Sequence, residues 1–259
     1  MSKITSVGAG YLWYTAASPA VIALRQRAWS LLGLYPGARV LDIGCGPGTT
    51  LASLAAQVGP LGQMIGVDHD PEMVKQAQAY ALQIGVGAWA GARVADATAL
   101  PFSVGGFDAC YSERLLQHLT PAAAETAVSE AARVLRPGGV AVFVDSDWGS
   151  FSVAAGEDDL ERRLQTQNLA RFHNPFSGRY LGRLLRAAGF GFVYTEPYAM
   201  PLSADSVTAL LAGAEKDALA DGTLTEVEAE RWHNALAALK TIADTAGTLT
   251  MTVAVGRRL

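Results

Sequence analysis

The stretch Val40-Leu41-Asp42-Ile43-Gly44-Cys45-Gly46-Pro47-Gly48 constrains this chain more than any other, because it sets a carboxylate and three glycines at one strand-to-helix turn. Arg39 to Ile43 is short, apolar and branched, as in a strand buried on both faces. Gly44 and Gly46 permit backbone conformations and close ligand approach that a side chain would block. Pro47 suits the first turn of a helix, and Thr49 to Val58 continues in helix-compatible residues. Free amides at a helix start attract anionic or polar groups. Asp42 adds negative charge where a ligand ammonium can be held. Amide donors beside a carboxylate suit a zwitterionic amino-acid moiety better than a pyrophosphate.

Around this turn, short apolar strands alternate with helix-length segments, the pattern of a parallel sheet covered on both faces. The further strands are expected at Gln63–Asp68, Ala92–Ala95, Phe107–Ser112, Val140–Asp145, Phe190–Glu196 and Thr248–Val255. Helices are expected over Pro71–Ile84, Pro121–Leu135, Glu157–Phe172 and Gly178–Ala188, and over most of residues 203–246. Pro137-Gly138-Gly139 ends the second of these, and Thr225 and Glu228 stand at capping-box spacing before a helix through Trp232. Residues 1–259 read as one α/β domain with a core over about 36–146, 177–200 and 247–259. The segment 1–35 and the inserts 147–176 and 201–246 form a cap at the strand ends, where open α/β sheets bind ligands.

Composition narrows the partners. The net charge of −4 argues against nucleic acid or an anionic membrane held by bulk electrostatics. With half of its residues hydrophobic and 17% charged, the chain has ample material for a core, yet no apolar run is long enough to span a bilayer. Met1-Ser2-Lys3-Ile4-Thr5 lacks the layout of a secretion signal. Cys45 and Cys110 read as buried, reduced thiols of a cytoplasmic protein. The four histidines have no ligand spacing, so no metal site is expected. Asp145 and Asp147 read as loop caps in preference to Mg²⁺ ligands.

Several polar residues fall at the carboxyl ends of expected strands. Asp68 stands some twenty residues beyond the glycine turn, where a carboxylate accepts ribose hydroxyls. Asp96 follows the third strand, Ser112 and Glu113 the fourth. Together they outline a pocket for a nucleoside that carries an amino acid.

The order Val40-to-Gly48, Gly66-Val67-Asp68, Asp96-Ala97-Thr98-Ala99-Leu100-Pro101-Phe102, Phe107-Asp108-Ala109-Cys110-Tyr111-Ser112 and Arg133-Val134-Leu135-Arg136-Pro137-Gly138-Gly139 resembles class I S-adenosylmethionine-dependent methyltransferases. Within them it is most similar to the small-molecule branch of the ubiquinone and menaquinone biosynthesis type. The resemblance covers about residues 38–146. It implies a Rossmann-like seven-stranded sheet, mostly parallel with the last strand antiparallel, with helices on both faces and a helical cap. It implies that Asp42 and the Gly44, Cys45 and Gly46 backbone hold the methionine portion of S-adenosyl-L-methionine. Asp68 would bind the ribose, His69 and Met73 flank the adenine, Asp96 and Ala97 read its edge, and the Ser112 carbonyl region would contact the methionine ammonium. Glu113 and Arg114 either pair with each other or fix the cofactor and the loop. Tyr11 or Tyr14 would close over the cofactor.

In-line attack on a sulfonium methyl needs alignment and a dry cavity, and a base only where the acceptor must lose a proton. His118, just after the fourth strand, is the candidate base; the bland reading packs it against the next helix. Trp148, Phe151, Phe172, Phe176 and Tyr180 wall the acceptor cavity or form the cap's own core. The acceptor is expected to be a small hydrophobic molecule, a secondary metabolite or quinone-like precursor. Other readings are a cyclase or rearrangement catalyst on the same fold, and a cofactor-binding subunit without catalysis. An NAD-dependent dehydrogenase fits least, because Thr49 stands where the third fingerprint glycine belongs.

Overall fold

Strands β1 (Arg39–Ile43), β2 (Gln63–Asp68), β3 (Ala90–Val94), β4 (Phe107–Glu113), β5 (Leu135–Val153), β6 (Phe190–Leu202) and β7 (Gly247–Arg258) form one sheet in the order β3-β2-β1-β4-β5-β7-β6. Only β7 runs against its neighbours. The computed structural model describes residues 9–242 and 245–259, without the side chains of Ala9, Tyr11 and Ile242. The helices are α1 (Ala9–Ala16), α2 (Pro19–Leu32), α3 (Leu51–Val58), α4 (Pro71–Gln83), α5 (Pro121–Val134), α6 (Asp158–Ala170), α7 (Ser177–Ala187), α8 (Ala204–Asp221) and α9 (Glu226–Ile242). A 3₁₀ turn covers Leu116–His118.

Strand alternation divides the core. Leu41, Ile43, Ile65, Val67, Cys110 and Phe143 face one side, where α5 and α7 pack through residues such as Val128 and Leu185. Their neighbours Val40, Met64, Ala109, Tyr111 and Val142 face the other, under Leu24 and Ala28 of α2 and Leu51 and Leu54 of α3. The central strands are therefore apolar on both faces, as a doubly covered sheet requires, apart from polar residues such as Asp42, Ser112 and Glu113 toward their carboxyl ends. The chain leaves β1 for β2 on one side and returns to β4 on the other. That reversal opens the crevice where such sheets bind ligands.

Local chemistry starts the helices where expected. Asp70 caps α4 by accepting from the Glu72 amide, with Pro71 in the first turn, and Thr120 caps α5 ahead of Pro121. Thr225 and Glu228 bond reciprocally at 2.9 and 3.3 Å, the capping box read from their spacing.

Several boundaries differ from the sequence reading, three of them near the site. The helix after the glycine turn begins at Leu51, with residues 46–50 in turns, so Pro47 is not in its first turn. The reason is the positive φ of Gly46 and Gly48, which lies outside the right-handed helical region; Thr50 then donates its hydroxyl to Asp42 below the turn. β5 continues past Asp145 to Val153, and β6 past Glu196 to Leu202, because β7 pairs with both along its length, Ser152 opposite Thr248 and Pro201 opposite Thr248. Pro197 and Pro201 are tolerated because β6 is an edge strand.

The extension of β5 carries a third cluster. Trp148, Phe151, Leu160, Leu164, Val207, Leu211, Trp232 and Leu236 bury one another between the strand ends and α6, α8 and α9. Among the described residues, no helix is long and apolar enough to cross a membrane.

Candidate active site

The glycine turn is fastened to β2 through its own amides. Gly44, Gly46 and Gly48 have φ of +80°, +53° and +88°, a region that favours glycine. The Gly44 and Cys45 amides both donate to the Val67 carbonyl, at 2.8 and 3.0 Å, and the Gly46 amide donates to Asp68 Oδ2 at 2.9 Å. These donors are therefore committed within the protein, which corrects the expectation of free amides at this turn. What the turn contributes instead is shape. Its three glycines keep the backbone open to close approach, and it delivers the Asp68 carboxylate to its rim.

Beneath the turn, Asp42 is 2% exposed and accepts the Thr50 hydroxyl. Burial pushes its carboxyl up to about 7, against the Thr50 bond. The carboxyl therefore lies below the loop, not on its open surface. Glu113 lies beside it, and of its two expected roles the structure shows the pairing with Arg114. Arg25 of α2 reaches its two oxygens at 2.7 and 3.0 Å, Tyr111 donates at 2.8 Å, and Arg114 Nη2 lies at 3.2 Å. Burial opposes this charge, but Arg25 and Arg114 outweigh it and hold the carboxyl near about 2. With every lone pair engaged, Glu113 has none left for a cofactor. Its role is to anchor α2 to the tip of β4.

Ser112 is also structural through its side chain, which donates to the Ile43 carbonyl at 2.9 Å and ties the tips of β4 and β1. Arg114 follows at φ +55° and sends Nη1 to Thr15 Oγ1 of α1 at 3.3 Å. The amino-terminal helix thus lies across the strand ends. Leu12 comes within 3.5 Å of a Cβ placed on Gly46, and Trp13 packs edge-on to Tyr80 at 4.7 Å. Tyr14, the residue expected to close the site, is 54% exposed; the helix turns Leu12 and Trp13 inward in its place. The Tyr11 side chain lies outside the described residues.

Around the outer strands, Asp68 also accepts the Asp70 amide at 3.0 Å, and His69 stays exposed beside it. Met73 is buried on α4. Asp96 Oδ1 accepts both the amide and hydroxyl of Thr98, at 2.8 and 2.7 Å, which lowers its pKa and leaves Oδ2 outward. Ala97 is half-buried beside it. Cys45 is buried, and desolvation raises its thiol well above the ordinary value, so it is no nucleophile. The grooves lined by Trp89 and Arg93 at the sheet edge and by Arg162 and Thr223 on the cap contain none of these residues.

On the acceptor side, the 3₁₀ turn places His118 next to the cap. Its ring lies 5.7 Å from Phe172, which stacks on Trp148 at 4.8 Å. Burial, then the charges of Arg114, His69 and His173, lower its pKa to about 4. Asp145, buried at the end of β5, accepts the Ser146 and Gln117 amides at 2.8 and 3.2 Å and so pins the turn; burial raises its carboxyl to about 7. Asp147 caps its loop through the Gly149 amide and is gripped by Arg179 at 2.6 and 2.9 Å.

A methyltransferase-domain family model matches residues 40–139, the segment that builds this site. The chain is 34% identical, over 88% of its length and 66% of the other, to an uncharacterised 37.1 kDa transposon protein of Streptomyces fradiae. To an uncharacterised methyltransferase of Synechocystis it is 30% identical over 65% of this chain and 74% of that one. The chain belongs to the class I S-adenosylmethionine-dependent methyltransferases. A demethylmenaquinone methyltransferase of Beutenbergia cavernae shares 33% identity over 60% of this chain and 57% of its own length. The chain thus spans between about half and three quarters of these relatives. In fold, this methyltransferase matches the YcgJ protein of Bacillus subtilis with a TM-score of 0.63, at 20% identity over 92% of this chain and 98% of that one. It matches the [4+2]-cyclase SpnF at 0.59, with 21% identity over 92% and 81%.

The residues at the methyltransferase's strand ends fit its cofactor. A glycine-rich turn, a carboxylate at the tip of β2, a buried Met73 and the exposed Asp96 carboxylate supply the shape and acceptors an adenosyl amino acid needs. Arg25, Thr50, Tyr111 and Gln117 escaped the sequence reading. Arg25 was detectable in principle, since it shares the buried face of α2 with Leu24, Ala28 and Leu32. Tyr111 follows from strand register, while Thr50 and Gln117 lie in turns, and none of the three carried a signal of its own.

Proposed function

We propose that this enzyme transfers a methyl group from S-adenosyl-L-methionine to a small, hydrophobic organic acceptor, a secondary metabolite or a quinone-like precursor. One observation carries the reading: the glycine turn and the Asp68 carboxylate are joined through the Gly46 amide at the sheet's switch point. The cofactor supplies an electrophilic methyl on sulfur. Asp68 accepts the ribose hydroxyls, Asp96 with Ala97 meets the adenine edge, and Met73 and His69 flank the ring. Asp42, in its ionised form, contributes negative potential toward the methionine ammonium from beneath the loop. The helix α1, held by Arg114 and Thr15, covers the site and excludes water. On the other side Phe172 of the cap, residues 147–176 and 201–246, and His118 of the 3₁₀ turn face an apolar, planar acceptor. The demethylmenaquinone methyltransferase relative supports an acceptor of that kind. Two buried, unpaired cysteines suit a reducing, cytoplasmic setting.

The test is calorimetric binding of S-adenosylhomocysteine, followed by transfer of labelled methyl to a panel of phenols, enols and quinols. Tight binding with labelled product supports the reading. Tight binding with acceptor conversion but no label transfer supports a cyclase or rearrangement catalyst, and binding of NAD instead overturns the cofactor assignment.

A further inference from the structure

Gln117 is held from three directions. Its Oε1 accepts the indole N–H of Trp148 at 2.8 Å, while its Nε2 lies 3.3 Å from the Arg114 carbonyl and 3.2 Å from His118 Nε2. An indole N–H only donates and a backbone carbonyl only accepts, so two independent partners set the orientation of this amide. Its remaining hydrogen then faces His118 Nε2, which must be the acceptor. A neutral imidazole carries one proton, and here that proton sits on Nδ1. His118 Nδ1 is buried and has no partner among the described residues.

We propose that His118 is a hydrogen-bond donor to the methyl acceptor, its Nδ1–H holding a carbonyl or enolate oxygen next to the atom that is methylated. The inference rests on the methyl-transfer reading above and assigns His118 a proton to hold instead of one to remove. Nε2 cannot gain a proton without expelling the Gln117 N–H, and Nδ1 already has one. A buried N–H without a partner is costly, and a ligand oxygen removes that cost. An amine acceptor would set a second donor against the first. The site therefore favours planar acceptors that bear an oxygen and ionise readily, such as acidic enols and phenols, over amines and simple alcohols. Phe172 beside the ring suits such a plane.

Long-range ¹⁵N–¹H spectra of the S-adenosylhomocysteine complex test this directly, with His118→Asn assigning the ring among the four histidines. The expected result is His118 protonated at Nδ1 and bare at Nε2 from pH 6 to 8. The opposite tautomer, or an imidazolium, overturns the proposal. Gln117→Glu, whose carboxylate accepts from Nε2–H, is expected to reverse the tautomer, and an unchanged tautomer removes the basis in Gln117. Saturation with 2-hydroxy-1,4-naphthoquinone is expected to shift the Nδ1–H resonance; no shift defeats the acceptor class. In turnover with that probe, His118→Asn, which keeps an N–H but is no base, should remain within about tenfold of wild type, whereas His118→Phe should lose about 100-fold or more, the usual effect of a lost donor. Equal losses in both variants favour a base. Absence of S-adenosylhomocysteine binding would instead sink the methyltransferase reading, while the apo spectrum still decides the tautomer.

Discussion

Replacing Arg25 by Met should unmask the burial of Glu113. Both side chains are only 5% exposed, so the pair is not a surface ion pair of negligible worth. Loss of the guanidinium strands a carboxylate with Tyr111 and Arg114 as its remaining partners, and breaking a buried pair in this way costs about 3–5 kcal/mol. A second route gives the same size. Arg25 and Arg114 hold the Glu113 carboxyl near about 2 against an ordinary 4.5; at about 1.4 kcal/mol per tenfold change in acidity, that is about 3 kcal/mol. Because the folded value is depressed, this stability is present above about pH 4.5 and is lost as pH falls toward 2. In Arg25→Met the sign should turn, with the protein gaining stability as pH drops from 7 toward 5 and Glu113 takes a proton. Urea unfolding of wild type, Arg25→Met and Arg25→Met/Glu113→Leu across that range is the assay. The double variant should recover much of the loss, since an apolar pair replaces a buried ionic one at little cost. A single-variant loss below about 1 kcal/mol, or a double variant no better than the single, would refute the argument.

Further outcomes follow from the site and the cap. Asp68→Ala should weaken S-adenosylhomocysteine by about 1.5–3 kcal/mol, roughly 10- to 150-fold by calorimetry, while leaving the core intact. Gly44→Ala places a Cβ 3.1 Å from the Leu115 side chain at φ +80°; a thermal shift assay should register about 1–3 kcal/mol of strain together with weaker cofactor binding. Trp232→Ala empties the centre of the cap and should cost about 3–5 kcal/mol in urea unfolding, yet S-adenosylhomocysteine affinity should hold if the cap serves the acceptor alone. Asp42 and Asp145, both raised to about 7 by burial, favour the protonated form in the fold. Their contribution is therefore greatest at acid pH and declines as pH rises from about 4 through 7, so Tm should drop between pH 5 and pH 8. A flat or rising Tm over that interval would contradict the burial of these two groups.

Much of this protein was legible from its sequence, for reasons that are local. Strands β1 and β2 were bounded to the residue, because a doubly buried strand is a short, mostly apolar run whose ends are marked by Gly, Asp and Pro. Pro71, Pro121 and the Thr225–Glu228 pair announced helix starts, since the groups that satisfy a helix end lie within a few residues of it. The side-chain order at the carboxyl ends, Asp42, Asp68 and Asp96, likewise follows from strand boundaries alone.

What only the tertiary structure decided is which polar groups remain available once the chain has closed on itself. Sequence can place Glu113, Asp42 and the turn amides at the site's edge, but Arg25, Thr50 and Val67 come from other elements and use up those bonding capacities. The same holds for the tautomer of His118, which depends on a tryptophan thirty residues away, and for Tyr14, which helix α1 turns to solvent while Leu12 faces the turn. Hydrogen-bond capacity is finite and shared across the fold, so no stretch of residues read alone can say where it is spent.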